Sequence, residues 1–122
     1  ILEIIDVSTP AYGVIYNGHN PVIPYGLAID TDIVFFSNGP LFNINHTPET
    51  SEIYITESGN YEIQYNFNLT SPIDAIFVIT VNGEAVYSTA ANTNLQTGVI
   101  TNTAILPLSA GDVVRLRVES IQ

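Results

Sequence analysis

The sequence predicts an all-β protein built as a sandwich of two antiparallel sheets. The first observation is a strict alternation of polar and apolar residues along 60–70, typical of a long strand with one buried face. The second is the regular interruption of short apolar segments by Gly, Pro, Asn and Asp, with no helical period between them. The third is length, because 122 residues suffice for one domain with a hydrophobic core.

The first half of the chain alternates strands with turn residues. Pro24 places its segment at a sheet edge, since proline cannot donate to a neighbouring strand. Residues 37–40 (Ser-Asn-Gly-Pro) predict a turn, and residues 41–50 are predicted as a loop. The predicted strands of this half cover residues 1–7, 12–17, 22–27, 33–36 and 53–56.

The second half begins with the long strand that starts at Tyr61. Asn82-Gly83 is the strongest hairpin signal in the chain, and residues 109–112 (Ser-Ala-Gly-Asp) predict a second tight turn. Residues 90–97 are small and polar, which predicts a loop. The remaining strands are expected at 75–81, 85–88, 99–106 and 113–118. About nine to ten strands fit a two-sheet sandwich or jelly roll.

Composition excludes several classes of function. Twelve acidic residues stand against two arginines and no lysine, which gives a net charge of −10. We therefore expect no nucleic-acid partner, and no membrane insertion because no apolar run is long enough. The chain has no cysteine, so disulfide and thiol chemistry are absent. Scarce trypsin sites and the lack of Cys, Met and Trp favour an exposed, extracellular setting.

Residues that could carry catalysis or bind metal are few. His19 and His46 both lie in turn-rich segments, and neither a Gly-x-Ser-x-Gly turn nor a zinc-ligand spacing is present. Asp30 and Asp32 could offer oxygen ligands to calcium, but the Gly and distal Glu of a calcium loop are missing. We predict no enzyme activity, no catalytic residue, no cofactor and no metal site.

Several short strings occur in an order similar to that of a known superfamily. They are Gly59-Asn60-Tyr61 at the start of the long strand, Val81-Asn82-Gly83 in the hairpin, and residues 106–114. Together they resemble the complement globular-head and tumour-necrosis-factor-like (TNF-like) jelly rolls. The strings at 11–17, 36–40 and 44–47 are more specifically similar to the C-terminal domain of bacterial collagen-like spore-surface glycoproteins, the BclA type.

The resemblance implies a trimer-forming jelly roll whose last strand lies between the first strand and the long aromatic one. Here only residues 119–122 follow the last predicted strand, so we expect residues 1–7 to replace the missing strand. An empty position would expose two rows of backbone groups and part of the core. The expected division is a strand and linker over 1–10 and a jelly-roll domain over 11–122.

Two routes could bring residues 1–7 into that position. The segment could fold back onto its own chain through residues 8–10, or it could insert into a neighbouring copy, as in donor-strand fibres. Pro10 favours an extended exit and hence the second route. A head-to-tail contact that does not close on itself produces a filament.

The function predicted from these observations is assembly at a bacterial spore or cell surface, outside the cell. The chain would be a structural subunit whose main partner is itself, in a homotrimer that can extend into a filament. The assembly strand would use Ile1, Leu2, Ile4, Ile5 and Val7, and the receiving core or trimer seam would use Tyr61, Tyr65 and Phe67. The alternative is a trimeric binding head that presents loops 18–21, 38–50 and 90–97 to a glycan or a surface protein, with His46 as a possible loop contact or as a residue at the trimer axis.

Overall fold

A computed structural model of the chain describes residues 1–6, 11–16, 31–69, 75–93 and 98–120. These residues form eleven β-strands in two antiparallel sheets, which confirms the predicted all-β sandwich. The strands are β1 Leu2–Asp6, β2 Tyr12–Tyr16, β3 Thr31–Asp32, β4 Ser37–Phe42, β5 Ile44–His46, β6 Ile53–Ile55, β7 Gly59–Leu69, β8 Ala75–Val81, β9 Glu84–Asn92, β10 Gly98–Leu108 and β11 Val113–Ser120.

The two sheets enclose one core. The five-stranded sheet has the order β10-β7-β1-β2-β4, and the six-stranded sheet has the order β5-β6-β11-β8-β9 with β3 paired to β11. Side chains from the inner faces of both sheets meet between them, as in other sandwiches. Among the largest fully buried side chains are Tyr61, Tyr65, Phe35, Phe77, Leu2 and Ile4.

Strand β7 is the long strand that the sequence predicts. Its residues Tyr61, Ile63 and Tyr65 are buried, at 1% exposure or less, and the residues between them face outward. It pairs with β10 along its whole length, from Gly59↔Leu108 to Leu69↔Gly98. The alternation in sequence therefore corresponds to one face in the core and one face outside.

The hairpin turn at Asn82-Gly83 is also confirmed. Both residues have positive φ, 53° for Asn82 and 87° for Gly83, and they connect β8 directly to β9. Asn tolerates the left-handed region and Gly adopts it freely, which explains why this pair is favoured in two-residue turns. The Asn82 side chain also binds the β10–β11 turn, with its Nδ2 2.9 Å from Asp112 Oδ1.

The turn predicted at 37–40 and the loop predicted at 41–50 are wrong in part, because β4 and β5 occupy most of this segment. Asn43, with φ 56°, separates the two strands and lets the chain cross from one sheet to the other. Pro40 is tolerated because, among the described residues, β4 lies at the edge of its sheet and pairs with β2 alone. Local turn residues were therefore overridden by pairing with distant strands.

Residues 33–36 do not form the buried strand that was predicted. Ile33 and Phe35 are buried, but Val34 is 39% and Phe36 56% exposed. The segment makes one isolated bridge, between Phe35 and Thr50. The predicted strand at 22–27 lies outside the described residues.

Strand β9 extends to Asn92, into the segment predicted as a loop. An irregularity in its pairing with β8, between Phe77 and Ile79, would leave a backbone N–H without a ladder partner. Thr89 supplies the substitute: its buried Oγ1 accepts a hydrogen bond of 2.8 Å from Ile79 N. Residues 90–92 are part of a bulged strand, which composition alone does not distinguish from a loop, and residues 94–97 lie outside the described residues.

Candidate functional site

The candidate site is the position of β1 in the middle of the five-stranded sheet, called here the slot. β1 pairs antiparallel with β2 on one side, from Leu2↔Ile15 to Ile5↔Tyr12. On the other side it pairs antiparallel with β7, from Leu2↔Tyr65 to Asp6↔Tyr61. Residues 7–10, which connect β1 to the rest of the chain, lie outside the described residues.

The inner face of β1 belongs to the core. Leu2 and Ile4 are fully buried, at 0% exposure. Ile4 lies opposite Gly13, where a Cβ would stand 2.9 Å from Leu41 Cδ2 and 3.5 Å from Ile4 Cγ2. The missing side chain of Gly13 therefore leaves the space in which Ile4 and Leu41 pack.

The first residue is bound to β7 at the end of the slot. The Ile1 backbone nitrogen donates to Asn66 O at 3.0 Å, and Asn66 N donates to Ile1 O at 2.9 Å. Val7, the last residue of the predicted assembly strand, lies outside the described residues.

The receiving strand presents tyrosines to the core. Tyr65 donates its hydroxyl to Thr89 O at 2.5 Å and also lies 3.1 Å from Phe77 O, which links the two sheets. Burial raises the pKa of this phenol above its ordinary value of 10.0. Tyr61 is buried as well and donates to Glu57 O at 2.6 Å. Both tyrosines thus lie in the core; the side chain of Phe67 lies outside the described set.

The outer face of the five-stranded sheet carries an apolar row. Register places one residue from each strand side by side across the sheet. Four of the five are exposed apolar side chains with 45–60% exposure, and Tyr12 and Phe42 stack with ring centroids 5.8 Å apart. This apolar row consists of Ile105, Glu62, Ile5, Tyr12 and Phe42.

Sequence reasoning did not find the apolar row. Its members are scattered from residue 5 to residue 105 and become neighbours only through strand pairing. One signal was present in the first strand, where Ile5 follows Ile4, so apolar residues occur on both faces. Strands of that kind are typical of sheets covered on both sides.

His46 faces the interior and not the solvent. It is 6% exposed, its Nε2 lies 2.8 Å from Thr50 O, and its Nδ1 contacts Asn38 Oδ1. Asn38 Nδ2 in turn donates to His46 O at 2.6 Å, and the Phe35 ring meets the imidazole edge-on. This placement agrees with a role in ordering the 46–50 segment, whereas a role at a trimer axis stays a prediction. His19 lies outside the described residues.

The two arginines line the outer face of β11, opposite the buried Val114, Leu116 and Val118. Arg117 NH1 lies 3.4 Å from Glu119 Oε1, as expected of the few cations in an acidic chain. Asp32 stands 3.9 Å from both arginines. Partly exposed pairs of this kind add little stability. Within the described ranges no group of three His, Asp or Glu residues could hold a metal ion.

A family model of the BclA C-terminal domain matches residues 13–122. The chain belongs to this family. BclA C-terminal domains are trimeric surface domains of collagen-like spore proteins, and the family is structural and not enzymatic. The match begins at the second residue of β2, includes β3 to β11 and leaves out β1. No curated protein sequence matches the chain.

Proteins that carry this type of domain belong to the spore surface. In the described part of the chain, no helix has the length and apolar character needed to cross a bilayer. The slot and the apolar row are therefore features of a BclA-type C-terminal domain.

Proposed function

We propose that this BclA-type domain is a self-assembling structural subunit of a bacterial spore-surface filament or coat, in which the strand at residues 1–7 is exchanged between copies. The observation that carries the proposal is the place of β1: it is central in its sheet, it buries Leu2 and Ile4 completely, and it precedes the family match. A segment so placed completes the core of whichever copy receives it.

Exchange between copies is supported by the equivalence of the contacts. The ladders to β2 and β7 and the burial of Leu2 and Ile4 have the same geometry whichever chain supplies the strand. Only the path of residues 7–10 differs between the two arrangements. Pro10 disfavours a helical or tightly turned conformation at the residue before it, which favours an extended linker to a neighbour.

Lateral association would use the apolar row. Ile105, Ile5, Tyr12 and Phe42 are exposed on one face of the subunit, and large exposed apolar patches commonly mark interaction sites. A homotrimer formed through this face would bury them, as expected for a member of a trimeric family. Strand exchange along an axis and lateral contact around it would together give a filament three chains wide.

Cysteine pairing between two variants tests strand exchange. Glu3 and Gln64 are register partners on β1 and β7, so cysteines there would lie within disulfide distance, and the natural chain has no cysteine to interfere. The Glu3→Cys and Gln64→Cys variants are unfolded, mixed in equal amounts, refolded and oxidised. Exchange predicts a covalent dimer of the two variants on a non-reducing gel.

In the control mixture the second cysteine is moved from β7 to another strand, and the refolding and oxidation are the same. Glu3→Cys mixed with Ser88→Cys places the second thiol on an exposed position of β9, in the other sheet, and should give no specific dimer. The double variant Glu3→Cys/Gln64→Cys reports the alternative arrangement. If it closes a disulfide within one chain while the mixture gives no dimer, strand exchange is wrong.

A second candidate is a binding head, favoured by a groove between β9 and β10. The groove encloses about 450 Å³ and is lined by residues 90–93 and 99–102, with Asn102 Nδ2 donating to Ala90 O at 2.8 Å. Its amide and hydroxyl groups would suit a glycan. Binding on a glycan array that is lost in Thr101→Val, with unchanged solution mass, would support this function, and absence of any glycan ligand would count against it.

A further inference from the structure

The strand that fills the slot also supplies part of the surface through which copies would associate. Leu2 and Ile4 point into the core, whereas Ile5 is 46% exposed on the outer face. Ile5 stands opposite Tyr12 on β2 and opposite Glu62 on β7. One strand therefore contributes to two surfaces at once.

Without β1 the apolar row is interrupted at its centre. Tyr12 and Phe42 are stacked on one side of the slot, and Ile105 lies on the other side beyond Glu62. The full row spans four strand intervals, about 19 Å. Ile5 extends the Tyr12–Phe42 pair to three apolar side chains on adjacent strands, and Glu62 stands between Ile5 and Ile105.

From this arrangement we infer that insertion of β1 and lateral association of copies are coupled, because Ile5 completes the contact surface of the subunit that receives the strand. The inference rests on the proposed function, with a second copy of this chain as the partner. In a strand-exchanged assembly each lateral contact contains side chains from the receiving chain and Ile5 from the donor. A subunit with an empty slot would present a broken row and would associate poorly.

The coupling also orders assembly. A copy first receives a strand and only then presents Ile5 beside Tyr12 and Phe42 to its lateral neighbours. Chains that have not yet received a donor are excluded from the lateral contact, so the filament is built from completed subunits. The order follows from the position of Ile5 on the inserted strand and needs no conformational change elsewhere.

The test uses the full chain with Ile5→Ser, which changes an exposed side chain and leaves Leu2 and Ile4 in place. The control is Tyr54→Ser, on the outer face of β6 in the other sheet, where a 44% exposed side chain matches the exposure of Ile5. Two quantities are measured for each variant. The first is the yield of the interchain dimer when the change is introduced into both the Glu3→Cys and the Gln64→Cys chains. The second is the number of chains side by side in the cross-section of the assembly (chains abreast), from the mass per unit length of filaments or the solution mass of discrete particles.

We expect Ile5→Ser to retain the dimer yield of the wild type within about twofold while the number of chains abreast falls from three to one. Tyr54→Ser should match the wild type in both measurements. An Ile5→Ser protein that keeps three chains abreast overturns the inference and leaves strand exchange intact. If no variant pair forms an interchain dimer, strand exchange fails, and loss of lateral association in Ile5→Ser then still decides whether β1 builds the contact surface.

Discussion

At the residue scale, a few polar side chains hold the two sheets and their turns together. Tyr65 reaches across the core from β7 to carbonyls of β8 and β9. Thr89 Oγ1 accepts a hydrogen bond from Ile79 N at the bulge between those two strands. Asp112 accepts hydrogen bonds from Ser109 N and Asn82 Nδ2 and so joins two turns at one end of the sandwich. Each of these side chains makes a hydrogen bond that the pairing of strands does not provide.

Replacing Tyr65 by Phe should lower the free energy of unfolding by about 1–3 kcal/mol, because the Thr89 carbonyl loses the hydroxyl that donates to it in the core. Urea denaturation measures the change. Tyr12→Phe removes a hydroxyl from a 45%-exposed side chain and should alter stability by less than about 0.5 kcal/mol. Equal stability of Tyr65→Phe and the wild type would show that the cross-sheet bond contributes nothing.

Asp112→Asn should make the melting temperature less dependent on pH in the acid range. Hydrogen bonds from Ser109 N and Asn82 hold the pKa of the Asp112 carboxyl below its ordinary value of 3.8. A carboxyl with a lowered folded-state pKa stabilises the protein above its unfolded pKa, and this stabilisation is lost as pH falls through the folded pKa. The variant should therefore melt at a lower temperature at pH 6 and at nearly the same temperature at pH 2.

The comparison at the two pH values has its own control. Glu84→Gln removes an exposed carboxylate next to the same hairpin turn and should change the melting temperature little at either pH. A deficit of Asp112→Asn that persists unchanged at pH 2 would mean that its hydrogen bonds do not depend on the charge.

At the scale of elements, β1 decides whether the five-stranded sheet is complete. It separates β2 from β7, so its removal leaves a gap in the middle of the sheet and not at an edge. Its side chains point alternately to the two faces of the sheet, with Leu2 in the core and Ile1 38% exposed on the outer face. The two faces therefore have separable roles, one in folding and one on the surface.

The pair Leu2→Ala and Ile1→Ala tests this division within one strand. Leu2→Ala should cost about 2–5 kcal/mol, because it removes a fully buried side chain and leaves a cavity. Ile1→Ala should cost less than about 1 kcal/mol, since the side chain is already in contact with solvent. Denaturant titration at one fixed protein concentration gives both values, and equal costs would contradict the assigned orientation of β1.

At the scale of the whole molecule, net charge opposes association. Each copy carries −10, so lateral contact brings like charges together while the apolar row favours it. Glu3 and Glu62 belong to the same outer face as the apolar row. Assembly should therefore depend strongly on the screening of charge by salt.

Raising sodium chloride from about 10 mM to 150 mM should increase the mean assembly mass, because the Debye length falls from about 30 Å to 8 Å. Light scattering at constant protein concentration records the change. Sucrose of equal osmolality is the uncharged control and should have a smaller effect. Dissociation on addition of salt would instead indicate that attraction between charges holds the copies together.

Much of the fold could be predicted because its signals are local. The alternation along β7 and the Asn82-Gly83 turn depend on neighbours in sequence, and both are present in the structure. The central place of β1 followed from family resemblance and from its composition. The segment at 37–50 was misjudged because Gly39 and Pro40 are turn formers that an edge strand tolerates.

By itself, the sequence determined the fold class, the long strand β7 and the family, and it led us to expect no nucleic-acid partner, because periodicity, turn residues and charge are properties of the chain read in order. Only the tertiary structure decided that His46 faces the interior and that Ile5, Tyr12, Phe42 and Ile105 form one row. Strand pairing brings together residues far apart in sequence, and sequence order does not encode that proximity. The candidate site is thus a product of register between strands.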